Sequence, residues 1–335
     1  MTNFFFDLGL FASKALIILI VFLVILFGLL ILIANAKQKP SGRLSLKNLN
    51  EKMDETKSAI LAETLPKKAY KQYVKDQKKA AKAKADEAVK PAIYVLNFNG
   101  DIKASAVDTL REEITAILNV ANPQDEVVLT LESGGGLVNG YGLGASQLMR
   151  LRNANIKLTV IIDKIAASGG YLMACVANQI LAAPFAIIGS IGVIVQLPNF
   201  HRLLEDKHID FEMQTAGEYK RTLTVFGKNT DAGREKLKEE LEDIHAQFKQ
   251  LIATHRPNID LNKVATGEHW LGEHALSLNL IDALKTSDAY LLEKSKSATV
   301  YALCFETKKP LLAKLMGSAA NAAITLYDHI TRIHR

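Results

Sequence analysis

Between Ala92 and Ile162 strand-like and helix-like patterns alternate, and this alternation restricts the possible folds more than anything else in the chain. Ala92–Phe98 is rich in β-branched and aromatic residues, Ala106–Val120 repeats its apolar residues with a helical period, and Glu126–Leu131 is again strand-like. Gln147–Asn153 belongs to a second helix and Ile156–Ile162 to a third strand. Strands separated by helices cannot be hairpins. They pair in parallel through right-handed crossovers, which predicts an α/β domain. Functional groups in such sheets collect at the carboxyl ends of strands. Two runs of small residues fall there: Ser133-Gly134-Gly135-Gly136 after the second strand and Ala167-Ser168-Gly169-Gly170 after the third.

Ser168 has two readings. Small neighbours permit a sharp strand-to-helix turn that exposes the hydroxyl at a helix N-terminus, as a nucleophile requires. The same position suits a serine that only caps the helix. A nucleophilic serine needs a base, and none of the eight histidines has a local signature. A lysine kept neutral by burial can serve instead. Lys220, in Ala216–Leu223, is one candidate, although it could form a solvated pair with Arg221; Lys164 is another, close in sequence but with no reason to face Ser168.

The rest of the chain frames this domain. Ala15–Ala34 is an uncharged apolar run of about bilayer-spanning length, which predicts one transmembrane helix after a flank at residues 1–14. Residues 35–90 read as a basic helical stalk or linker without a core of its own, interrupted near Pro66. Its lysines are interleaved with only Tyr70 and Tyr73, so no nucleic-acid partner is expected. The globular domain is expected over 91–295, including a broken apolar run at Ile180–Leu197 read as buried sheet and a charged helix at Asp231–His255. Residues 296–335 are expected to be a tail with an amphipathic helix from Pro310. His269 and His274 with Glu268 and Glu273 do not make a His-Glu-x-x-His site, so neither metal nor cofactor is expected. Cys175 and Cys304 are read as buried thiols, with a single disulfide left open.

Four pieces in order, Ser133-Gly134-Gly135-Gly136, Ala167-Ser168-Gly169-Gly170-Tyr171, Gly189-Ser190-Ile191-Gly192-Val193 and Gly217-Glu218-Tyr219-Lys220, resemble the signal peptide peptidase A family. The length and single span are most similar to its short members. The resemblance covers roughly Ala92–Leu292. It implies a Clp-protease/crotonase-like fold and a membrane-anchored serine endopeptidase with a Ser-Lys dyad. Ser168 matches the nucleophile, Lys220 the general base and Ser190 the hydroxyl that orients the lysine. Gly135 and Gly169 match the two oxyanion-hole amides.

The resemblance further implies peptide substrates, such as signal-peptide remnants or unfolded and membrane-derived peptides, and a homo-oligomeric ring whose neighbouring subunits share the dyad. Ala166, Ala167, Tyr171 and Leu172 suggest small or hydrophobic residues at the cleavage point. The implied site is the periplasmic face of a bacterial inner membrane, whereas Lys37, Lys39, Arg43, Lys47 and Lys52 after the span argue for the cytoplasm. The chain departs from the family's Asn-Ser-Pro-Gly-Gly at Glu132-Ser133-Gly134-Gly135-Gly136, and has Thr224-Val225-Phe226 and Gly267-Glu268-His269-Trp270 in place of Glu-Pro-Phe and Gly-Arg-Val-Trp. Two other classes remain open: an acyl-CoA enzyme of the same fold, which needs neither Ser168 nor Lys220, and a catalytically silent membrane scaffold.

Overall fold

The computed structural model describes residues 11, 14–23, 26, 42–83 and 90–307. Of the apolar run at 15–34, residues 15–23 and 26 are helical and exposed, and the rest lies outside the described residues. Among the described residues no helix is long and apolar enough to cross a membrane. The helix expected from Pro310 also lies outside the described residues. Two compact units divide the chain, residues 1–44 with 306–335 and Ser45–Phe305. The second holds every catalytic candidate.

Its centre is a sheet of strands β1 (Gly42–Asn48), β2 (Ala92–Gly100), β3 (Glu126–Ser133), β4 (Lys157–Ile162), β5 (Ile165–Ala167), β6 (Gln179–Ala182), β7 (Ile187–Gly189), β8 (His269–Leu271), β9 (Ala283–Leu284) and β10 (Thr299–Thr307). The main order is β1-β10-β2-β3-β4-β6-β9, and the pairings from β10 through β9 are parallel, as the alternation requires. At its end β3 passes from β4 to β5, with Ser133 opposite Ala166. β5 then pairs with β7, and β7 pairs antiparallel with β8. This side branch carries the glycine turns.

Alternate residues of the strands feed two cores, the period-2 consequence of a sheet buried on both faces. One face packs Leu96, Leu129, Leu131, Leu158 and Val160 against α3 (Val107–Leu118), α4 (Val138–Asn153) and α5 (Gly169–Ala174). The long charged helix forms as expected, α7 (Asp231–His255), and contributes Phe248 and Ile252 to that core. It follows a short helix α6 (His201–Asp206). The other face packs Ile93, Val95, Val128, Ile161 and Val300 against Tyr290 of α10 (Ser287–Lys294). Between α7 and α10 lie α8 (Leu261–Val264) and α9 (Gly272–Ser277).

The flanking segments join the sheet more closely than their composition suggests. Within the expected stalk, Gly42–Asn48 is an edge strand, followed by α1 (Leu49–Thr64) and, after Pro66, α2 (Lys67–Ala83). Asn48 caps α1 through its side chain, and Asn50 donates to the carbonyls of Ser295 and Ala298 while accepting from Val300 N at 2.7 Å. No residue of α1 is fully buried, and Leu49 at its start packs half-buried against the second core. Within the expected tail, β10 runs parallel beside β2 from Thr299 to Ala302. Its end is held by Glu113 of α3, whose buried carboxylate accepts from Phe305 N at 2.9 Å. Burial raises that carboxyl to about 7, against the lowering effect of the Phe305 amide.

Two polar clusters fix the frame. Glu126 accepts from Thr159 at 2.5 Å and Tyr290 at 2.6 Å and pairs with Lys157 at 3.1 Å. Burial would raise its pKa, but the two hydroxyls and the ammonium outweigh it and hold the carboxyl low. At the other end Arg256 forms a two-pronged pair with Asp282, at 2.7 and 3.0 Å, and Asp282 also accepts from Ile180 N. Cys175 is buried and its thiol is pushed up to about 12, mainly by burial. Cys304 differs from expectation in being exposed.

Candidate active site

Ser168 stands where β5 ends and α5 begins, at the N-cap position, yet its hydroxyl makes no capping hydrogen bond. Its backbone has φ 51° and ψ −119°, a conformation that non-glycine residues rarely adopt. Such geometry costs of order 1–3 kcal/mol and persists only when the surroundings enforce it. Two bonds do so here: Ser168 N donates to Gly189 O at 2.8 Å, and Leu172 N donates to Ser168 O at 2.9 Å. The helix-cap reading therefore fails for the side chain. What remains is a hydroxyl displayed on a sharp turn.

The turn is possible because the neighbours have no side chains. A Cβ on Gly169 would lie 2.4 Å from Tyr141 Cγ, and one on Gly170 would lie 2.6 Å from Ser133 O. Gly169 is the first residue of α5, so its N–H belongs to the helix's opening turn, where amides have no partner within the helix. Gly135 approaches from the other side: with φ 90°, a Cβ there would be 2.8 Å from both Gly169 N and Ser168 Cβ. The two glycine turns singled out in the sequence are thus in contact.

Ser168, Gly136 and Gly169 open onto a cavity of about 290 Å³. Its apolar wall comes from Val138 and Tyr141 of α4, Leu172 of α5, Val193, and Ile244, Phe248 and Leu251 of α7. Of the four residues expected to contact substrate, only Leu172 lines it; Ala166, Ala167 and Tyr171 are buried in the core, and the Tyr171 hydroxyl donates to Leu280 O. The contribution of α7 was hidden by its charged composition. Ile244, Phe248, Leu251 and Ile252 nonetheless repeat at i, i+4, i+7 and i+8, a signal that could have revealed an inward face.

The glycine turn after β3 brings two neighbouring residues to different places. Gly135 N donates to Ser133 Oγ at 3.1 Å, whereas Gly136, which no sequence argument singled out, lines the cavity beside Ser168 and Gly169. Ser190 lies one strand away from Ser168: Ala167 and Gly189 are register partners, so the two serines leave neighbouring strands at the same level. Ser190 shares the positive φ of Ser168, 51°, and its N–H donates to Glu268 O at 2.6 Å. Gly189 is pressed under Trp270, where a Cβ would meet the indole at 2.8 Å.

Lys220 is placed differently. It lies in an exposed irregular stretch after Gly217, anchored by its own N–H to Gly217 O at 3.2 Å. Among the described residues no hydrogen bond or ion pair reaches its ammonium group, and none joins it to Ser168. The competing lysine, Lys164, is committed elsewhere in a 3.0 Å ion pair with Glu132.

Sequence comparison gives this geometry a family. Residues 3–148 match Peptidase family S49 N-terminal and residues 150–301 match Peptidase family S49. A probable protease SohB of Haemophilus influenzae is 46% identical over 331 residues, covering 95% of this chain and 94% of that one. The chain belongs to peptidase family S49. A second relative of this S49 peptidase, a probable protease SohB of Buchnera aphidicola subsp. Schlechtendalia chinensis, is 45% identical over 80% of this chain and 92% of its own. Among solved structures, a membrane-bound stomatin-specific protease is 16% identical with a TM-score of 0.41, covering 62% of this chain and 86% of that one. The S49 assignment decides among the classes left open by the residues: the protein is a serine peptidase.

Proposed function

We propose that this S49 peptidase is a membrane-anchored endopeptidase of Clp/crotonase-like fold in which Ser168 is the nucleophile and Lys220 of a neighbouring subunit is the general base. The observation that carries the reading is the uncapped, positive-φ hydroxyl of Ser168 at the mouth of an apolar cavity. The exposed stretch around Lys220 supports the shared dyad. It carries Ile194, Phe200, Leu203, Ile209, Phe211, Tyr219 and Phe226 at its surface, more apolar area than a free loop normally exposes. A second copy packed there would bury these residues and dehydrate Lys220, which favours the neutral amine that a base requires.

In the reaction, Ser168 Oγ attacks the scissile carbonyl carbon as Lys220 Nζ takes the hydroxyl proton. The amides of Gly169 and of the Gly135–Gly136 turn receive the oxyanion, each donor worth roughly 2.7–4 kcal/mol by analogy with other proteases. The resulting ammonium returns its proton to the leaving amine, and water, deprotonated by the same lysine, then hydrolyses the acyl-serine ester. Ser190, level with Ser168 on the adjoining strand end, orients the lysine. The substrates are signal-peptide remnants or unfolded, membrane-derived peptides, presented to a domain on the periplasmic face and tethered by a single span at 15–34.

Reaction with a fluorophosphonate probe tests this reading. Wild-type protein is expected to label and to cleave casein, and Ser168→Ala and Lys220→Ala are each expected to lose both activities while the oligomer persists. Labelling that survives both substitutions would overturn the dyad. Protease accessibility in spheroplasts tests orientation, since a protected domain would place it in the cytoplasm.

A further inference from the structure

A buried hydroxyl relay runs beneath the two glycine turns. Tyr141 is fully buried, and its hydroxyl donates to Asp101 O at 2.7 Å. That uses the only phenolic proton, so the 2.5 Å contact between Tyr141 and Ser133 has the serine as donor. Ser133 Oγ in turn accepts from Gly135 N at 3.1 Å. The same tyrosine ring lies directly against Gly169, where a Cβ would come within 2.4 Å of Cγ, and Phe98 braces it edge-on at 6.3 Å. One side chain therefore touches the residue after the nucleophile and, through Ser133, holds the facing glycine turn.

From this we infer that Tyr141 and Ser133 are positioning residues that set the separation of the two oxyanion-binding segments, Gly169 and Gly135–Gly136. The inference rests on Ser168 being the nucleophile. Each hydroxyl acts on the backbone of the Gly135–Gly136 segment, through the Tyr141–Ser133 and Gly135 N–Ser133 bonds. Every donor and acceptor in the relay is matched, so removing one hydroxyl leaves a buried neighbour unpaired and frees the Gly135 turn to shift. A displacement of well under 1 Å matters, because oxyanion donors act at about 2.7–3.1 Å from the developing charge. Substrate binding along the apolar cavity does not depend on that register.

Tyr141→Phe keeps the ring and removes the hydroxyl; Ser133→Ala removes the middle of the relay. Both are made in the full-length chain, with casein cleavage, fluorophosphonate labelling rate and thermal midpoint measured together. Each variant is expected to lower kcat and the labelling rate about tenfold with KM within twofold. The double variant is expected to be little worse than either single one, because both break the same chain of bonds. Unchanged kcat and labelling in a folded Ser133→Ala protein would overturn the inference. So would a loss shared equally by kcat and KM, or losses that multiply in the double variant. If Tyr141→Phe fails to fold, Ser133→Ala decides alone. Ser168→Ala is run alongside: residual labelling there would mean that the nucleophile itself is misassigned, a failure distinct from that of the relay.

Discussion

The turn at Ser168 and the stretch that carries Lys220 are built on opposite terms. The first is cast into the sheet: Ala166 and Tyr171 are fully buried, three glycines are in contact with backbone or ring atoms, and the strained serine is held by bonds to Gly189 and Leu172. The second has exposed aromatic rings stacked on one another, Phe200 on Phe226 at 6.1 Å and Phe211 beside Phe226 at 5.8 Å, and is closed on itself by bonds such as Phe200 N to Val225 O. A nucleophile on a rigid turn is ready before substrate arrives. A base on an exposed loop needs another surface to complete it. The contrast teaches that the fold alone fixes the Ser168 turn, whereas on the proposed reading the Lys220 side is completed by a neighbouring subunit.

The largest expected effect tests that division directly. Ser168→Ala and Lys220→Ala should each reduce peptidase activity by roughly four to six orders of magnitude without lowering the thermal midpoint. Mixing the two inactive proteins under conditions that allow subunit exchange should restore about a quarter of wild-type activity, because some neighbouring pairs then supply one intact serine and one intact lysine. No recovery on mixing would place both groups in one chain and break the comparison.

Glycine substitutions sharpen it on the stability side. Gly169→Ala forces a Cβ to 2.4 Å from the Tyr141 ring and should destabilise by about 3 kcal/mol in chemical denaturation. Gly217→Ala, in the Lys220 stretch, meets nothing closer than 4.0 Å and has only its positive φ to resist it, so about 1 kcal/mol is expected. Equal losses at the two sites would mean that the exposed stretch is as firmly packed as the turn. Phe226→Ser should leave the monomer's midpoint within about 1 kcal/mol of wild type yet shift sedimentation toward smaller species and reduce activity in parallel. Ser168→Gly should stabilise by about 1 kcal/mol while abolishing activity, since glycine relieves the strained φ.

The smallest expected effect concerns the buried carboxylate of α3 that holds the end of β10. Because burial lifts the Glu113 carboxyl from 4.5 to about 7 in the folded protein, its contribution to stability is complete below about pH 4.5 and fades as pH rises through 7. Thermal midpoints measured from pH 5 to 8 should therefore fall more in wild type than in Glu113→Gln. Coincident slopes would remove Glu113 as the cause.

Some of this was legible in the residues. The alternation from Ala92 to Ile162 dictated parallel strands, and the strand bounds differ from the pattern by a residue or two because burial on both faces leaves little freedom in which residues point inward. The small residues Ala166 to Gly170 marked the sharp turn at Ser168, because only small residues admit such a bend. The stretch at 35–90 was misleading at its start, since an edge strand buries little and its composition stays polar; β1 is visible only through its pairing with β10. The cavity wall from α7 is hidden in the sequence because Ile244, Phe248 and Leu251 sit on a helix dominated by charged and polar residues. The glycine turn after β3 is marked in the sequence only as a run of three glycines, and the hydrogen bond from Gly135 to Ser133 separates that residue from Gly136, which lines the cavity.

By itself, the sequence determined the class of sheet, the place of the sharp turn at Ser168 and the glycines that let two turns approach each other, because period, residue size and chirality are local properties. Only the tertiary structure decided that the Ser168 hydroxyl is uncapped, that Tyr141 and Ser133 tie the turns together, and that Lys220 stands away from the serine on an exposed surface. Those facts depend on which strands lie side by side and on what fills the space between them, and pairing between distant segments is not written in any one stretch of chain.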